Sequence, residues 1–511
     1  MAGDNLYDLF AARFPKEPGA VFLAVPGGRD LAYGALDPAV SRYANLIASL
    51  GAKPGERVVA QVEKSVEAVL LYLACLKAGV IYIPLNTGYT EGELEYFLSD
   101  ATPRLVVADP AREEMLGRLA AKCGVPHLLT LDAVGGGSFA DRAKDQPDAS
   151  QSAQVAADDV AAILYTSGTT GRPKGAMLTH GNLASNALTL HEYWQWRPGD
   201  VLLHALPVFH VHGLFIALHC ALLNGSRVIF LPKFDREAIL DHLPEATVLM
   251  GVPTFYVRLL DSPRLTPGIC RNMRLFISGS APLLAETWEA FHARTSHRIL
   301  ERYGMTETGM ITSNPYDGER VPGTVGYALP GISVRITGDD GKVVAPGEVG
   351  ILEVKGPNVF KGYWQMPEKT AEDFTADGWF RTGDMATSAP DGRVTLVGRA
   401  KDLVISGGFN VYPKEIEEVM DAFPGIVETA VIGVPHPDFG EAVVAVVVPE
   451  KGANIDLDAL HAYLQDKLAR FKQPKHVAVV DELPRNVMGK VQKNLLRAAY
   501  GGLFSGKGAA Q

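Results

Sequence analysis

RVVAQVEKSVEAVLLYLACLKAGVIYIPL, residues 57–85, divides into a strand (RVVAQV), a helix (VEAVLLYLACLKAG) and a second strand (VIYIPL). A strand, helix, strand order predicts a helix-covered, largely parallel sheet. The most apolar part of the chain, residues 68–85, is interrupted by Lys77, Gly79 and Pro84. It is therefore read as a buried helix followed by a strand, not as a membrane span. Further strand signals at RLVVAD and HLLTLD extend this unit. The polar segment 135–159, rich in Gly, Ser and Asp, is read as a subdomain linker.

Beyond the linker, AAILY, VLLHALP, SRVIFLP, ATVLMGVP and MRLFISGS predict a second α/β unit over residues 160–329, with both faces of its strands buried. From Gly331 the texture changes to short strands with Gly, Asp and Pro turns, which predicts a small antiparallel, barrel-like unit over 331–400. Past Asp402 the pattern is compact α+β over 403–500, and GGLFSGKGAAQ (501–511) is expected to be a disordered tail. The predicted class is thus α/β, with a large N-terminal domain over 1–400 containing two helix-covered sheets and the barrel-like unit, and a small C-terminal α+β domain. The N-terminal MAGDNLYDLFAARFP carries Asp4 and Asp8 and lacks a basic lead into an apolar run, so it reads as an amphipathic helix and not a secretory signal.

The 511 residues, 47% of them hydrophobic, suffice for two or more domains. A net charge of −10 with mixed signs leaves no basic patch for nucleic acid or an anionic membrane, so any anionic ligand must be held by local groups. Cys75, Cys123, Cys220 and Cys270 form no C-x-x-C pair, which argues against a zinc site or a disulfide framework and fits a reducing, cytoplasmic setting.

YTSGTTGRPKG (165–175) fails the pattern G-x-x-x-x-G-K-[ST], because Pro173 precedes Lys174 and Gly175 follows it. It leaves one apolar strand and enters another, so its glycines belong to a turn whose N–H groups can form an anion nest. Thr166, Ser167, Gly168, Thr169, Thr170, Gly171 and Lys174 are the candidate phosphate ligands. A flexible surface loop is the competing reading.

Four further stretches decide between them: ERYGMTETG (301–309), RTGD (381–384), VGRAKDLVISGGFNVYPKEIE (397–417) and PRNVMGKVQK (484–493). With the glycine-rich loop, in this order and over nearly the whole chain, they resemble the acyl-adenylate-forming (AMP-binding) superfamily of acyl-CoA synthetases, aryl-CoA ligases, luciferases and peptide-synthetase adenylation domains. The resemblance implies transfer of AMP from ATP to a carboxylate, then attack by the thiol of coenzyme A, with a C-terminal domain that rotates between the two steps. Two anions must meet in the first step, so cations and oriented dipoles have to offset their repulsion.

It further implies roles by position. Glu307 matches the Mg2+ ligand, with Thr166 beside it, and Thr306 matches the α-phosphate hydroxyl. Tyr303 stacks on adenine opposite Gly279, Ser280 and Ala281 of ISGSAPL. Asp384 takes the ribose hydroxyls, with Arg399 near the same sugar. Lys490 bridges the reacting carboxylate and the α-phosphate, and its acetylation would bring a lysine acetyltransferase and deacetylase in as partners. Lys493 is read as surface. Lys401 and Asp402 form the hinge, and Ser406, Gly407, Gly408 and Phe409 face the pantetheine arm of CoA after rotation.

The acid is read from PVFHVHGLF (207–215), GVPTFYVRLL (251–260), ISGSAPL and ERYGMTE. A fatty acid wants apolar walls, yet Arg302 directly precedes Tyr303 and Arg258 sits on the helix after VPT. Buried cations are costly unless paired, and a second carboxylate on the substrate would pair them. These segments resemble the malonyl-CoA synthetases of the superfamily, which implies malonate, with methylmalonate tolerated, held by Arg302 and Arg258 and closed over by His210. A salt bridge to Glu301 or Glu307 is the alternative for Arg302, and a snorkelling surface position for Arg258. His212 and His219 read as helix-packing histidines.

Overall fold

The computed structural model describes residues 4–166, 173–406, 409–437, 439–486 and 489–504, without the side chains of Asn410 and Asp466. Residues 57–85 form the strand Arg57–Gln61, the helix Val66–Ala78 and the strand Ile81–Pro84, the two strands pairing in parallel. Ser65 caps the helix by accepting from the Ala68 amide, and Gly79 ends it at φ 68°. A Cβ there would be strained and would press on Ala153 at 2.9 Å, so the residue must be glycine. Lys77 is buried in the last turn and compensated by Asp37 at 2.6 Å and Ser41 at 2.8 Å. No helix among the described residues is long and apolar enough to cross a membrane.

This unit belongs to a seven-stranded sheet of order Gly362–Tyr363, Lys174–Thr179, Val160–Thr166, Ile81–Pro84, Arg57–Gln61, Leu105–Ala108, His127–Thr130. The last five are parallel, and the first two are antiparallel additions. A nine-stranded sheet has the order Tyr327–Ala328, Gly309–Ser313, Leu300–Met305, Leu275–Ser278, Val248–Gly251, Val201–His204, Arg227–Phe230, Val21–Ala24, Leu31–Ala32. One hydrophobic core includes residues of both sheets.

The boundary read from the sequence at 135–159 is corrected by these pairings. Val160–Thr166 rejoins the first sheet through Tyr82 and Ala162, while Val21–Ala24 crosses to the second through Leu23 and Val228. Residues 135–159 are an excursion from the first sheet, on which the helix Ser138–Lys144 buries Phe139, Ala140 and Ala143. Polar composition reports exposure, and it carries no information on which sheet the chain re-enters.

Residues 331–400 contain a four-stranded antiparallel sheet, Ser333–Thr337, Gly350–Lys355, Phe380–Ser388 and Val394–Arg399. The helical turn Ala400–Asp402 leads into the C-terminal unit. There Phe409–Val411, Val404–Ser406, Gly440–Pro449 and Ile426–His436 pair in that order, and His476–Val479 lies parallel to Gly440–Pro449. Helices Pro413–Asp421, Leu457–Lys467 and Lys493–Tyr500 flank the sheet. Its cores are separate from the N-terminal one, as a unit that moves as a body requires. Residues 501–504 of the expected disordered tail pack onto the C-terminal unit. Leu503 donates its amide to Tyr500 O, and the Phe504 ring packs 5.0 Å from that of His436; residues 505–511 lie outside the described residues.

Candidate active site

The strands on either side of YTSGTTGRPKG pair up to Thr166 and Lys174, so the loop closes a hairpin. Ser167, Gly168, Thr169, Thr170 and Gly171 lie outside the described residues. Thr166 is half-buried, and its hydroxyl reaches Lys174 O only at 3.5 Å. The Lys174 ammonium sits 4.1 Å from the centre of the Tyr363 ring and 3.6 Å from Asp373. Tyr363 donates its hydroxyl to Glu307 Oε1 at 3.2 Å, so Lys174 and Glu307 meet around one tyrosine.

Thr306 and Glu307 occupy the turn between Leu300–Met305 and Gly309–Ser313. Asn186 clamps that turn by accepting from the Met310 amide and donating to its carbonyl, and Asn358 donates to Thr308 O at 2.8 Å. Gly309 has φ 58°, and a Cβ there would lie 2.5 Å from Asn186 Oδ1. Burial raises the Glu307 pKa, with Tyr363, Arg399 and Lys174 opposing. A buried carboxylate beside a triphosphate site fits a hard divalent cation that keeps waters and shares phosphate oxygens. Among the described residues no three acidic, histidine or cysteine side chains converge, so these residues supply no complete cage of their own.

Tyr303 is buried and donates its hydroxyl to Asp384 Oδ2, while Asp384 Oδ1 pairs with Arg399 Nε at 2.6 Å. The pairing of Phe380–Ser388 with Val394–Arg399 places Asp384 directly opposite Arg399. Gly279, Ser280 and Ala281 follow the strand Leu275–Ser278, and Ser280 adopts φ 72°. Gly279 abuts Arg302: a Cβ would fall 2.4 Å from Nη1 and 2.5 Å from Cζ, so only glycine leaves room for the guanidinium.

The C-terminal unit contributes Lys490. Its loop is closed by a bridge between Arg485 and Val491, by the Asn486 side chain accepting from the Lys490 amide at 3.0 Å, and by Gly489 at φ 74°, facing Thr254. The residue keeps exposed surface along its length. Its ammonium feels the charges of Arg399, Asp384, Glu307 and Arg302, and burial, followed by Arg399, lowers its pKa. At the hinge, Asp402 Oδ1 pairs with Arg497 Nη2 at 2.6 Å, and Lys401 is exposed. Ser406 is buried opposite Phe409 and Gly440; Phe409 is 55% exposed and stacks on Phe471 at 4.6 Å. Gly407 and Gly408 lie outside the described residues.

Arg302 is fully buried, and Nε, Nη1 and Nη2 all lack a hydrogen-bond partner among the described residues. Neither alternative salt bridge forms. Side chains alternate along a strand, so Glu301 points to the opposite face, where it accepts from the Leu283 amide at 3.3 Å and feels Lys414. Burial pushes the Arg302 guanidinium down to about 9. His210 is driven down to about 3 by burial, then by Lys490 and Arg302, so it is neutral. Its Nδ1 accepts from the His212 amide at 3.4 Å, which leaves Nε2–H as a donor.

Two expectations for this pocket are corrected. Arg258 is not buried with Arg302: it is exposed, with its guanidinium 5.4 Å from the centre of the Phe234 ring. Water solvates its charge, so no substrate anion is needed to compensate it. His212 is more than packing. It is buried, lies within the field of Arg302 and places Nδ1 3.3 Å from Ser280 Oγ. The segment His212–Ala217 is a π-helix, an irregularity often found at functional sites. His219 does pack, against Phe10, Tyr72 and Phe215, with the Tyr72 hydroxyl 2.7 Å from Nε2.

A family model described as "AMP-binding enzyme" matches residues 8–364, and "AMP-binding enzyme C-terminal domain" matches residues 415–490. The chain belongs to the AMP-binding enzyme family. It is 39% identical to the mitochondrial malonate–CoA ligase ACSF3 of Mus musculus, over 87% of this chain and 82% of that protein. It is 38% identical to a feruloyl-CoA synthase of Amycolatopsis, over 93% of this chain and 95% of that protein. ATP-bound MatB of Rhodopseudomonas palustris shares its adenylate-forming fold, with a TM-score of 0.96 at 55% identity over 98% of this chain and 100% of that one. Apo MatB gives a TM-score of 0.84, so the chain superposes better on the ATP-bound form.

Residues missed in the sequence are those whose partners are distant. Tyr363, on the edge strand beside Lys174–Thr179, and Asp373, at the end of the helix Pro367–Asp373, flank Lys174 with no local motif to mark them. Lys493, read as surface, is paired with Glu417 at 2.6 Å.

Glu301 provides a pH test. Burial raises its pKa from 4.5 to about 7, with Lys414 opposing, so the folded AMP-binding enzyme binds more protons there than the unfolded chain. Its contribution to stability is complete below pH 4.5 and is lost as the pH rises through about 7. Glu301→Gln keeps an acceptor for the Leu283 amide and removes the titration. Thermal melts should show Tm roughly 2–5 °C above the parent at pH 8, with the gap closing in acid. An equal gap at both pH values would show that the carboxyl is ionised throughout.

Proposed function

We propose that this chain is an AMP-forming acyl-CoA synthetase that joins malonate to coenzyme A, consuming ATP and releasing AMP and pyrophosphate. A malonate carboxylate oxygen bonds to the α-phosphorus as the bond to the β-phosphate breaks and pyrophosphate leaves. The CoA sulfur then attacks the acyl carbon, its proton is lost, and the acyl–oxygen bond to AMP breaks. The Lys490 ammonium bridges the carboxylate and α-phosphate, Thr306 donates to that phosphate, and Lys174 with the glycine-rich loop holds the outgoing pyrophosphate. Tyr303, against Gly279, Ser280 and Ala281, holds adenine, and Asp384 with Arg399 orients the ribose. Mg2+ at Glu307 would neutralise triphosphate charge, with Thr166 close by.

Arg302 carries the choice of acid. A buried guanidinium with three unpartnered nitrogens is unstable by itself, and a distal carboxylate supplies both charge and acceptors. A feruloyl or fatty acyl chain would leave it uncompensated. His210 Nε2–H donates at the same place, and Gly279 provides the room. Arg258 stands one turn beyond Thr254, which faces Gly489, and acts at the entrance rather than inside the pocket. The similarity to ligases named for malonate supports the same reading.

The test is acid-dependent pyrophosphate release with malonate, methylmalonate, acetate, coumarate, ferulate and octanoate. Malonate should give the highest kcat/KM, followed by methylmalonate, with each monoacid at least about 100-fold slower because it leaves the buried cation unpaired. A monoacid faster than malonate would overturn the reading. Acetylation of Lys490 would remove the bridging charge, and mass spectrometry before and after deacetylase treatment, with activity followed in parallel, tests that control.

A further inference from the structure

The helix Lys493–Tyr500 directly follows the loop that carries Lys490, and two of its cations are committed to fixed partners. Lys493 Nζ lies 2.6 Å from Glu417 Oε1, and Glu417 is held in turn by accepting the Val431 amide at 2.7 Å. One turn later and on the same face, Arg497 Nη2 lies 2.6 Å from Asp402 Oδ1. Both pairs are largely sheltered, at 18% and 18% exposure for the first and 30% and 15% for the second. At the other end of the loop Arg485 pairs with Glu428 and donates to Gly489 O at 2.6 Å. The Lys490 loop is therefore anchored to the body of the C-terminal unit at both ends. Arg497 differs from the other cations in reaching the interdomain turn Ala400–Asp402.

We propose that Arg497 is a positioning residue for adenylate formation: through Asp402 it holds the interdomain turn at the angle that places Lys490 in the N-terminal site. Rotation of the domains must change backbone torsions at this turn, which redirects the Asp402 side chain relative to the helix that bears Arg497. The pair is closed in the arrangement that has Lys490 among Arg399, Asp384, Glu307 and Arg302. A single half-sheltered ion pair is weak enough to open once per turnover and strong enough to bias two states of similar energy.

This inference rests on the role given to Lys490, and the experiment separates the two. In the full chain, Arg497→Gln, Arg497→Lys and Asp402→Asn are measured for malonate-dependent exchange of pyrophosphate into ATP, and separately for malonyl-CoA formation from supplied malonyl adenylate, with Tm recorded. Arg497→Gln and Asp402→Asn should each slow exchange about two- to fivefold, the range a pair of this kind commands, while thioester formation is unchanged or faster. Arg497→Lys should recover most of the exchange. Equal losses in both half-reactions, no loss in either, or a split in one variant but not the other overturns the latch. Lys490→Ala in parallel reports on the underlying assignment: continued exchange in that variant overturns the role of Lys490 and the latch with it, whereas loss of exchange there with no split in the Arg497 and Asp402 variants overturns the latch alone.

Discussion

Lys490→Ala should lower malonate-dependent exchange of pyrophosphate into ATP by about three orders of magnitude, the scale for loss of a preorganised group that meets developing charge. Thioester formation from supplied malonyl adenylate should survive in the same variant. The split follows from location. Lys490 belongs to the C-terminal unit, and its ammonium feels the charges of Arg399, Asp384, Glu307 and Arg302. On the proposed mechanism it is available to the acid and the α-phosphate in the first step and is removed by domain rotation before the second. Both half-reactions falling together would show Lys490 to be structural, and neither falling would move the bridging charge elsewhere. Because the ammonium pKa is lowered, exchange in the parent enzyme should also decline on the alkaline side earlier than a free lysine would dictate.

Arg302→Met is expected to lower kcat/KM for malonate by roughly 30-fold to several thousand-fold, since losing one member of a buried charge pair costs about 2–5 kcal/mol. The KM for ATP should change little, because no hydrogen bond joins Arg302 to Tyr303, Asp384 or Arg399. The same variant should melt at a higher temperature than the parent. In the free protein the guanidinium is buried with no hydrogen-bond partner, and an apolar chain of similar length removes that cost. Gain of stability with loss of malonate use is a signature that a purely structural arginine would not give. Arg258→Ala, at an exposed position, should cost only a few-fold in kcat/KM. A loss as large as that from Arg302→Met would place Arg258 inside the pocket.

What could be read from the sequence was local. The strand, helix, strand unit at 57–85 was fixed by apolar runs, a serine cap and a glycine stop, all within reach of one another along the chain. The chemistry of Glu307, Asp384 and Lys490 was marked by neighbours in short motifs, and the structure brings those three positions into one site. Sheet membership was not legible. Tyr82 pairing with Ala162, and Leu23 with Val228, join segments whose own patterns would suit either sheet. Tyr363 escaped notice because its hydroxyl and ring serve Glu307 and Lys174 from an edge strand with no motif. The reading of His212 as a packing residue was correct about its burial and silent about the charge of Arg302 that it feels.

The crossing of Val21–Ala24 into the nine-stranded sheet has a consequence for how the protein is made. Its partner strand Arg227–Phe230 leaves the ribosome about two hundred residues later, so an apolar strand emerges first and stays without its neighbour through much of synthesis. The two sheets of the large domain cannot be completed one after the other, and a chain cut between residues 32 and 57 would give a short fragment unable to fold and a long one with an open edge. Expression of the protein should therefore depend on chaperone supply, and the first thirty residues form a poor site for fusing a partner within the chain.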